Sequence, residues 1–215
     1  MNPDRSTLNA SASRPLVLTG ERLRAAERHL GKSDRVMAKL VRAHGQCKLA
    51  RRPFLPFHAL TTAIISQQLS VKAADTIAAR VAQLTMRPFV ASSVLAVPAD
   101  SLRAAGLSSA KVRYIHGLAR WVEDGALDFQ KLRRQTDEGV LAALTAVPGI
   151  GRWTAEMFLI FSLKRPDILS LGDAGLSRAV RLLYGDAADI EKLAEPWRPY
   201  RSVASWYLWQ HLDTA

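Results

Sequence analysis

One carboxylate in a glycine-containing turn is the residue whose type and position best suit chemistry. Asp173 lies in the stretch Leu171-Gly-Asp-Ala-Gly175, directly before residues with helical spacing. A fixed carboxylate can stabilise positive charge in a transition state, and it can orient or deprotonate a water molecule. An aspartate in this place is equally suited to cap the helix that begins near Gly175, and the two roles are compatible.

The residues around Pro148 predict two helices joined by a very tight turn. One helical stretch ends after Leu144, the chain turns over residues 148–151 (Pro-Gly-Ile-Gly), and a second helix begins at once. The two glycines permit positive φ and close approach, so the first N–H groups of the second helix can reach a phosphate. Ile150 is predicted to anchor the turn in the core. Such a hairpin would bind nucleic acid through its phosphates without reading its sequence. The alternative is an ordinary corner between two helices.

The composition favours a polyanionic partner and excludes several other classes of protein. The 215 residues carry 30 Lys and Arg against 19 Asp and Glu, a formal net charge of +11. A single cysteine, Cys47, excludes an intramolecular disulfide, a four-thiolate zinc site and a cysteine-ligated iron–sulfur cluster. The histidines lack ligand spacing, and no apolar stretch is long enough to span a membrane. We therefore expect a protein of a reducing, cytoplasmic compartment.

The elements that must position these residues are predicted to be helices. Apolar residues recur every three or four positions, and alternating strand patterns are missing, so the fold class is predicted to be all-α. Residues 1–19 are expected to form a flexible tail, followed by helices over 21–30 and 33–44. The apolar stripe from Leu60 to Leu84 contains Ser70, which can cap a second helix there.

The remaining boundaries are read from capping residues. Ser108 precedes a helical run, and Asp137 is predicted to cap the helix over 138–144. Lys164 is expected to be a solvated charge at a helix end. Tyr114, Trp121 and Trp206 are assigned to core packing.

These stretches together resemble the helix-hairpin-helix (HhH-GPD) DNA glycosylase superfamily. Within that superfamily they most resemble the 3-methyladenine DNA glycosylase II branch. The segments that match, over roughly residues 52–212, are the hairpin at 144–159, the aspartate segment at 169–180, and residues 63–74, 107–111 and 197–209. The resemblance implies two helical lobes with an active-site cleft between them and no cofactor for catalysis. We expect a compact domain over 20–215, with one lobe formed by 57–165 and the other by 20–50 and 166–215. An additional N-terminal sheet domain of larger relatives is not expected.

The resemblance also implies roles for individual residues. Asp173 would be the catalytic aspartate, and Trp153 and Trp209 would line a pocket whose aromatic faces attract a cationic base. Gln68 would fill the gap left by the flipped nucleotide, although a polar residue on an exposed face is an equal alternative. Further expected DNA contacts come from the hairpin, namely Gly149, Ile150, Gly151, Arg152 and Thr154. Main-chain carbonyls of Thr145, Val147 and Ile150 would hold a structural Na⁺ or K⁺.

The function that these expectations favour is a monofunctional DNA glycosylase. Bifunctional members place a Schiff-base lysine where this chain has Trp153, so the product would be an abasic site in an uncut strand. The partner would be double-stranded DNA containing damaged bases, with the protein acting as a monomer in the cytoplasm, near the nucleoid in a bacterium, or in a eukaryotic nucleus. Two alternatives stay open: a glycosylase for a neutral lesion such as uracil or an oxidised purine, and a non-catalytic DNA-binding module.

Overall fold

The structure is a computed structural model, and it describes residues 15–51, 55–85 and 88–214. Within those ranges all regular elements are helices and no strand is present, which confirms the all-α prediction. The α-helices are α1 (Gly20–Ser33), α2 (Arg35–His44), α3 (Pro56–Ser66), α4 (Val71–Leu84), α5 (Ala91–Leu95), α6 (Ala99–Ala104), α7 (Ser109–Glu123), α8 (Phe129–Leu132), α9 (Asp137–Thr145), α10 (Arg152–Phe161), α11 (Ala174–Tyr184), α12 (Ile190–Ala194) and α13 (Arg201–Thr214). In the same ranges no helix is both long and apolar enough to cross a membrane.

The main helix contacts fall into two sets. Asp173 lies where helices of both sets meet. In one set α3 packs against α4, α7 and α10, while α9 packs against α10. In the other set α1 and α2 pack against each other and against α13, which also contacts α11. The first two helices therefore complete a layer whose other members come from the end of the chain.

A partly buried network around Asp34 joins these distant parts of the chain. One carboxylate oxygen caps α2 by accepting from the backbone N–H groups of Val36 and Met37. The other oxygen accepts from the Tyr184 hydroxyl and from the Trp197 indole, both at 2.9 Å. Because burial and this carboxylate both disfavour a phenolate, the pKa of Tyr184 is raised well above its usual range. The α1–α2 corner is thereby fixed to α11 and to the turn before α13.

Predicted helix caps agree with the structure at two positions and fail at a third. Ser70 and Ser108 cap α4 and α7 as predicted. The cap of α9 is Thr136, whose hydroxyl accepts from the N–H of Gly139, so the prediction for Asp137 is wrong. Asp137 instead pairs with the buried guanidinium of Arg165 at 3.1 Å. The carboxylate at this position compensates a buried charge, which leaves the cap to the preceding threonine.

The expectation for Lys164 is also wrong. Lys164 is buried, and its ammonium group donates to the carbonyl oxygen of Leu49 at 2.7 Å. Its own carbonyl accepts from the N–H of Leu18, so the chain after α10 lies against the segment before α1. Residues 1–14 of the predicted tail lie outside the described residues. Leu18 is buried and Thr19 caps α1, so ordered packing begins before Gly20.

Candidate active site

The Asp173 carboxylate lies at the meeting point of three helices and is almost fully buried. It is the N-cap of α11, where its Oδ1 accepts from the N–H of Leu176 at 2.6 Å. The same oxygen accepts from the Trp209 indole of α13 at 2.9 Å. Its Oδ2 accepts from the Trp153 indole of α10 at 2.7 Å. The structure therefore brings together the three residues that the sequence placed at the reactive centre, although Trp153 lies 20 positions before Asp173 and Trp209 lies 36 positions after it.

Both indoles hold the carboxylate in place, and Trp153 also lines a cavity. Trp153 is 43% exposed and forms part of the wall of a cavity of about 450 Å³ between α3 and α10. Trp209 packs against Phe161, with ring centroids 5.7 Å apart, and Phe161 lies in the same wall. A pocket of this volume falls within the range of about 300–1,000 Å³ that small ligands occupy.

The wall of this cavity is mainly apolar and aromatic, with a few hydroxyl groups. Aromatic and sulfur-containing side chains come from α10, and the hydroxyl groups of Thr62 and Ser66 come from α3. Thr154, which the sequence placed among the DNA contacts, has a buried side chain in this wall. The Thr154 side chain is therefore not available to a phosphate. No lysine is found among the described residues that line the cavity or contact Asp173.

The space around Asp173 depends on a glycine that the sequence analysis did not single out for this role. A Cβ atom at Gly175 would lie 3.2 Å from Oδ1 of Asp173 and 3.5 Å from Cδ1 of Trp209. Such a methyl group would crowd the hydrogen bond between the carboxylate and the indole. The glycine at this position therefore permits the close approach of α11 to α13.

A second buried carboxylate, Glu156, supports the segment that leads to Asp173. Its Oε2 accepts from the Ser170 hydroxyl at 2.5 Å, and the N–H of Asp173 donates to the Ser170 carbonyl at 3.1 Å. Its Oε1 accepts from the Nε of Arg152 at 2.9 Å. Sequence reasoning missed Glu156, although a charged residue on the apolar face of α10, beside Ala155, is a sign of a buried polar contact.

The tight turn before α10 has the predicted form. Ile150 is buried, and Gly149 has a φ of +89°, which a residue with a side chain rarely adopts. A Cβ atom there would lie 2.4 Å from Cγ of Tyr114, so the turn packs directly against α7. Gly151 is the N-cap of α10 and has no side-chain cap, and Arg152 beside it is exposed. The first turn of α10 thus begins at an exposed residue without a side-chain cap, and it carries the positive end of the helix dipole.

The carbonyl groups predicted to hold a monovalent cation lie at the end of α9 and in the residues that follow it, up to Ile150. The Val147 carbonyl accepts from the N–H of Ile150. Among the described residues no hydrogen bond is recorded to the carbonyl oxygens of Thr145 or Ile150. Carbonyl oxygens are suitable ligands for a hard cation, so the donor set fits Na⁺ or K⁺.

Gln68 lies in the short segment that joins α3 to α4, residues 67–70. Its side chain is exposed, and its φ of +57° is in the left-handed region. The neighbouring Gln67 is half-buried and donates from Nε2 to the carbonyl oxygen of Gly149 at 2.9 Å. The predicted wedge residue is therefore next to the turn that would contact phosphates. The assignment of Tyr114, Trp121 and Trp206 to core packing is confirmed, since all three pack in or against the core.

Comparison with known proteins gives concordant results. Residues 61–199 match the model of the HhH-GPD superfamily base excision DNA repair protein. The alkylbase DNA glycosidase-like protein mag2 of Schizosaccharomyces pombe is 30% identical over 200 residues, which cover 86% of this chain and 92% of that protein. Two solved structures are also similar. The DNA-3-methyladenine glycosidase of Bacillus halodurans has a TM-score of 0.75 and 38% identity, over 88% of this chain and 89% of that one. The 3-methyladenine DNA glycosylase Mag1 of S. pombe, in complex with abasic DNA, has a TM-score of 0.77 and 30% identity, over 88% and 97%.

Proposed function

The chain belongs to the HhH-GPD superfamily of base excision DNA repair proteins, and we propose that it excises alkylated purines of the 3-methyladenine type from duplex DNA. The observation that carries this proposal is a buried carboxylate held by two indoles beside a cavity of about 450 Å³. The similar proteins named for 3-methyladenine give the same substrate class.

The proposed reaction is hydrolysis of the bond between the base and its sugar. As this bond breaks, positive charge develops on the sugar, as it does in glycoside hydrolysis. The Asp173 carboxylate opposes that charge and orients the water molecule that attacks the sugar carbon. The Asp173 carboxylate accepts the proton of this water as the new carbon–oxygen bond forms, and it then passes the proton to solvent. The base departs with the electrons of the broken bond, which neutralise the positive charge of an alkylated purine.

The wall of the cavity favours a cationic base over a neutral one. A 3-alkylated or 7-alkylated purine carries a positive charge, which makes it a good leaving group and attracts it to an aromatic face. Trp153 supplies such a face, and its ring is already held by its hydrogen bond to Asp173. A neutral lesion would require hydrogen-bond donors directed at its base edge, whereas most of the wall is apolar.

We propose that the protein is monofunctional and binds duplex DNA as a monomer, in the compartment that holds the genome. Forming a Schiff base with the sugar requires an amine, and Trp153 stands at the position of the family's lysine. Gly149, Ile150 and Gly151 would contact the DNA backbone, with Arg152 and the free N–H groups of α10 beside them. A Na⁺ or K⁺ held by carbonyls of the turn would add positive charge at the same place, because the donor set fits.

Base release from a panel of duplexes tests this function. Each duplex carries one lesion (7-methylguanine, 3-methyladenine, uracil or 8-oxoguanine), and the free base and the alkali-sensitive strand are both measured. We expect release of the two methylated purines and an uncut strand before alkali treatment. Faster release of uracil or 8-oxoguanine would contradict the substrate class. Binding to every duplex without release of any base would favour a non-catalytic module.

A further inference from the structure

The segment that carries Gln68 has a backbone conformation that requires support. Left-handed φ values are sparsely populated by residues with side chains, and they persist where surrounding contacts impose them. Gln68 is exposed and its side chain forms no recorded hydrogen bond in the described structure. The contacts that fix this conformation therefore come from its neighbours.

Lys111 supplies the most direct of these contacts. Its Nζ donates to the carbonyl oxygens of Ile65 and Gln67, both at 2.7 Å. These carbonyls lie at the end of α3, where backbone acceptors lack helical partners and the helix dipole is negative. Partial burial lowers the pKa of the Lys111 ammonium group from its usual value, so this cation gives up solvation in order to reach the two oxygens.

The same helix that carries Lys111 also contacts the phosphate-binding turn. Tyr114, three residues further along α7 and on the same face, packs against Gly149. Gln67, whose carbonyl accepts from Lys111, donates through its side chain to the Gly149 carbonyl at 2.9 Å. The end of α3, the turn before α10 and the start of α7 therefore form one connected unit.

We propose that Lys111 is a positioning residue for base extrusion, because it fixes the carbonyls of Ile65 and Gln67 in the segment that leads into Gln68 and so sets where the Gln68 side chain meets the duplex. This inference rests on the proposed function, since it requires Gln68 to enter DNA. A glycosylase binds the DNA backbone with one part of its surface and fills the gap left by the flipped nucleotide with another. The distance between these two parts must match the position of the flipped nucleotide. Lys111 and Gln67 connect the two places.

A fluorescent duplex tests the position of Gln68 independently of catalysis. The duplex carries a tetrahydrofuran abasic analogue opposite 2-aminopurine, whose emission changes when a side chain inserts beside it. We expect Gln68→Ala to abolish this change at saturating protein and Lys111→Met to lose at least half of it. Lys72→Met is the matched control: it removes an equal charge from an exposed residue of α4 and should retain the full change.

Excision kinetics then separate positioning from general stability. At saturating enzyme and in a single turnover, we expect Lys111→Met to release an alkylated purine at least tenfold more slowly than the parent. Lys111→Arg, which can still donate to both carbonyls, should stay within threefold. In a Gln68→Ala background, Lys111→Met should add less than a further twofold, because both changes remove the same step. Lys111→Gln, which keeps an NH₂ group but loses the positive charge, replaces the methionine variant if that variant does not fold.

Three results would overturn the inference. They are additive effects of the Lys111 and Gln68 substitutions, an unchanged fluorescence response in Lys111→Met, and an unchanged response in Gln68→Ala. A parent protein that releases no base would overturn the proposed function instead. The fluorescence response on the abasic duplex would still show whether Lys111 sets the position of Gln68.

Discussion

Asp173→Asn is the substitution that most directly tests the proposed chemistry. The amide has the same shape as the carboxylate but only one acceptor oxygen. Placed where Oδ1 lies, that oxygen keeps the hydrogen bonds from Leu176 and Trp209. The amide NH₂ then faces the Trp153 indole N–H, which now donates to Oδ2 at 2.7 Å, so two donors oppose each other. The variant should therefore lose both the charge and one of three hydrogen bonds.

The magnitude of each loss can be estimated separately. A unit charge about 4 Å from the developing sugar cation contributes about 4 kcal/mol at an effective dielectric constant of about 20. At about 1.4 kcal/mol for each factor of ten, excision should slow by roughly 10³-fold. The opposed donors should cost about 1–3 kcal/mol of folding free energy. For a chain of this size, each kcal/mol lowers the Tm by about 2–4 °C, so the variant should stay folded at 25 °C.

The assay is single-turnover release of a methylated purine, with binding to abasic DNA measured in parallel. Asp189→Asn is the matched control, since Asp189 caps α12 by accepting from two backbone N–H groups and is exposed. We expect this control to excise at the parental rate and Asp173→Asn to retain its affinity for abasic DNA. If folded Asp173→Asn excises within threefold of the parent, the carboxylate is a helix cap and the catalytic assignment is refuted.

Three further predictions follow from the structure. Gly151→Ala should weaken binding to damaged and undamaged duplexes alike. Its Tm should change little, because nothing in the protein lies within 4 Å of the added Cβ atom. Gly149→Ala should instead lower the Tm, because its Cβ atom would overlap Tyr114. Equal melting temperatures for the two variants would contradict this distinction. Borohydride should fail to trap the parent on DNA with an abasic site, because Trp153 has no amine to offer; a covalent adduct would show that an amine elsewhere in the chain reaches the sugar. Burial raises the pKa of the Cys47 thiol to about 12, so iodoacetamide at pH 8 should modify Cys47 only after unfolding, as followed by mass spectrometry.

The features that the sequence predicted correctly are those that depend on short stretches of chain. A serine before an apolar run predicts a cap, as at Ser70 and Ser108, because the capping hydrogen bond spans only three residues. The turn at 148–151 is similar, since its glycines and its buried Ile150 are adjacent. At Asp137 the same local rule failed, because a contact with Arg165, 28 positions away, determined the place of that carboxylate.

The supporting parts of the site could not be predicted because their contacts are distant in sequence. Lys111 reaches carbonyls that lie 46 and 44 residues earlier in the chain, and backbone acceptors have no residue type that would identify them. Gln67 likewise donates to a carbonyl 82 residues away. The sequence distinguished Gln68 from Gln67 only through the resemblance to a family, since two adjacent glutamines have the same chemistry.

The two roles that the sequence left open for Asp173 can be separated by considering its two oxygens. A helix cap needs one oxygen, and Oδ1 alone accepts from the N–H of Leu176. Capping therefore does not explain why Oδ2 is held by the indole of Trp153, on another helix and beside the cavity. A carboxylate held on both oxygens has a fixed plane, as expected of a group that must oppose charge at one position in a transition state. Asp173 can cap α11 and act in catalysis at the same time. Of its hydrogen bonds, the one from Trp153 is needed for catalysis and not for capping.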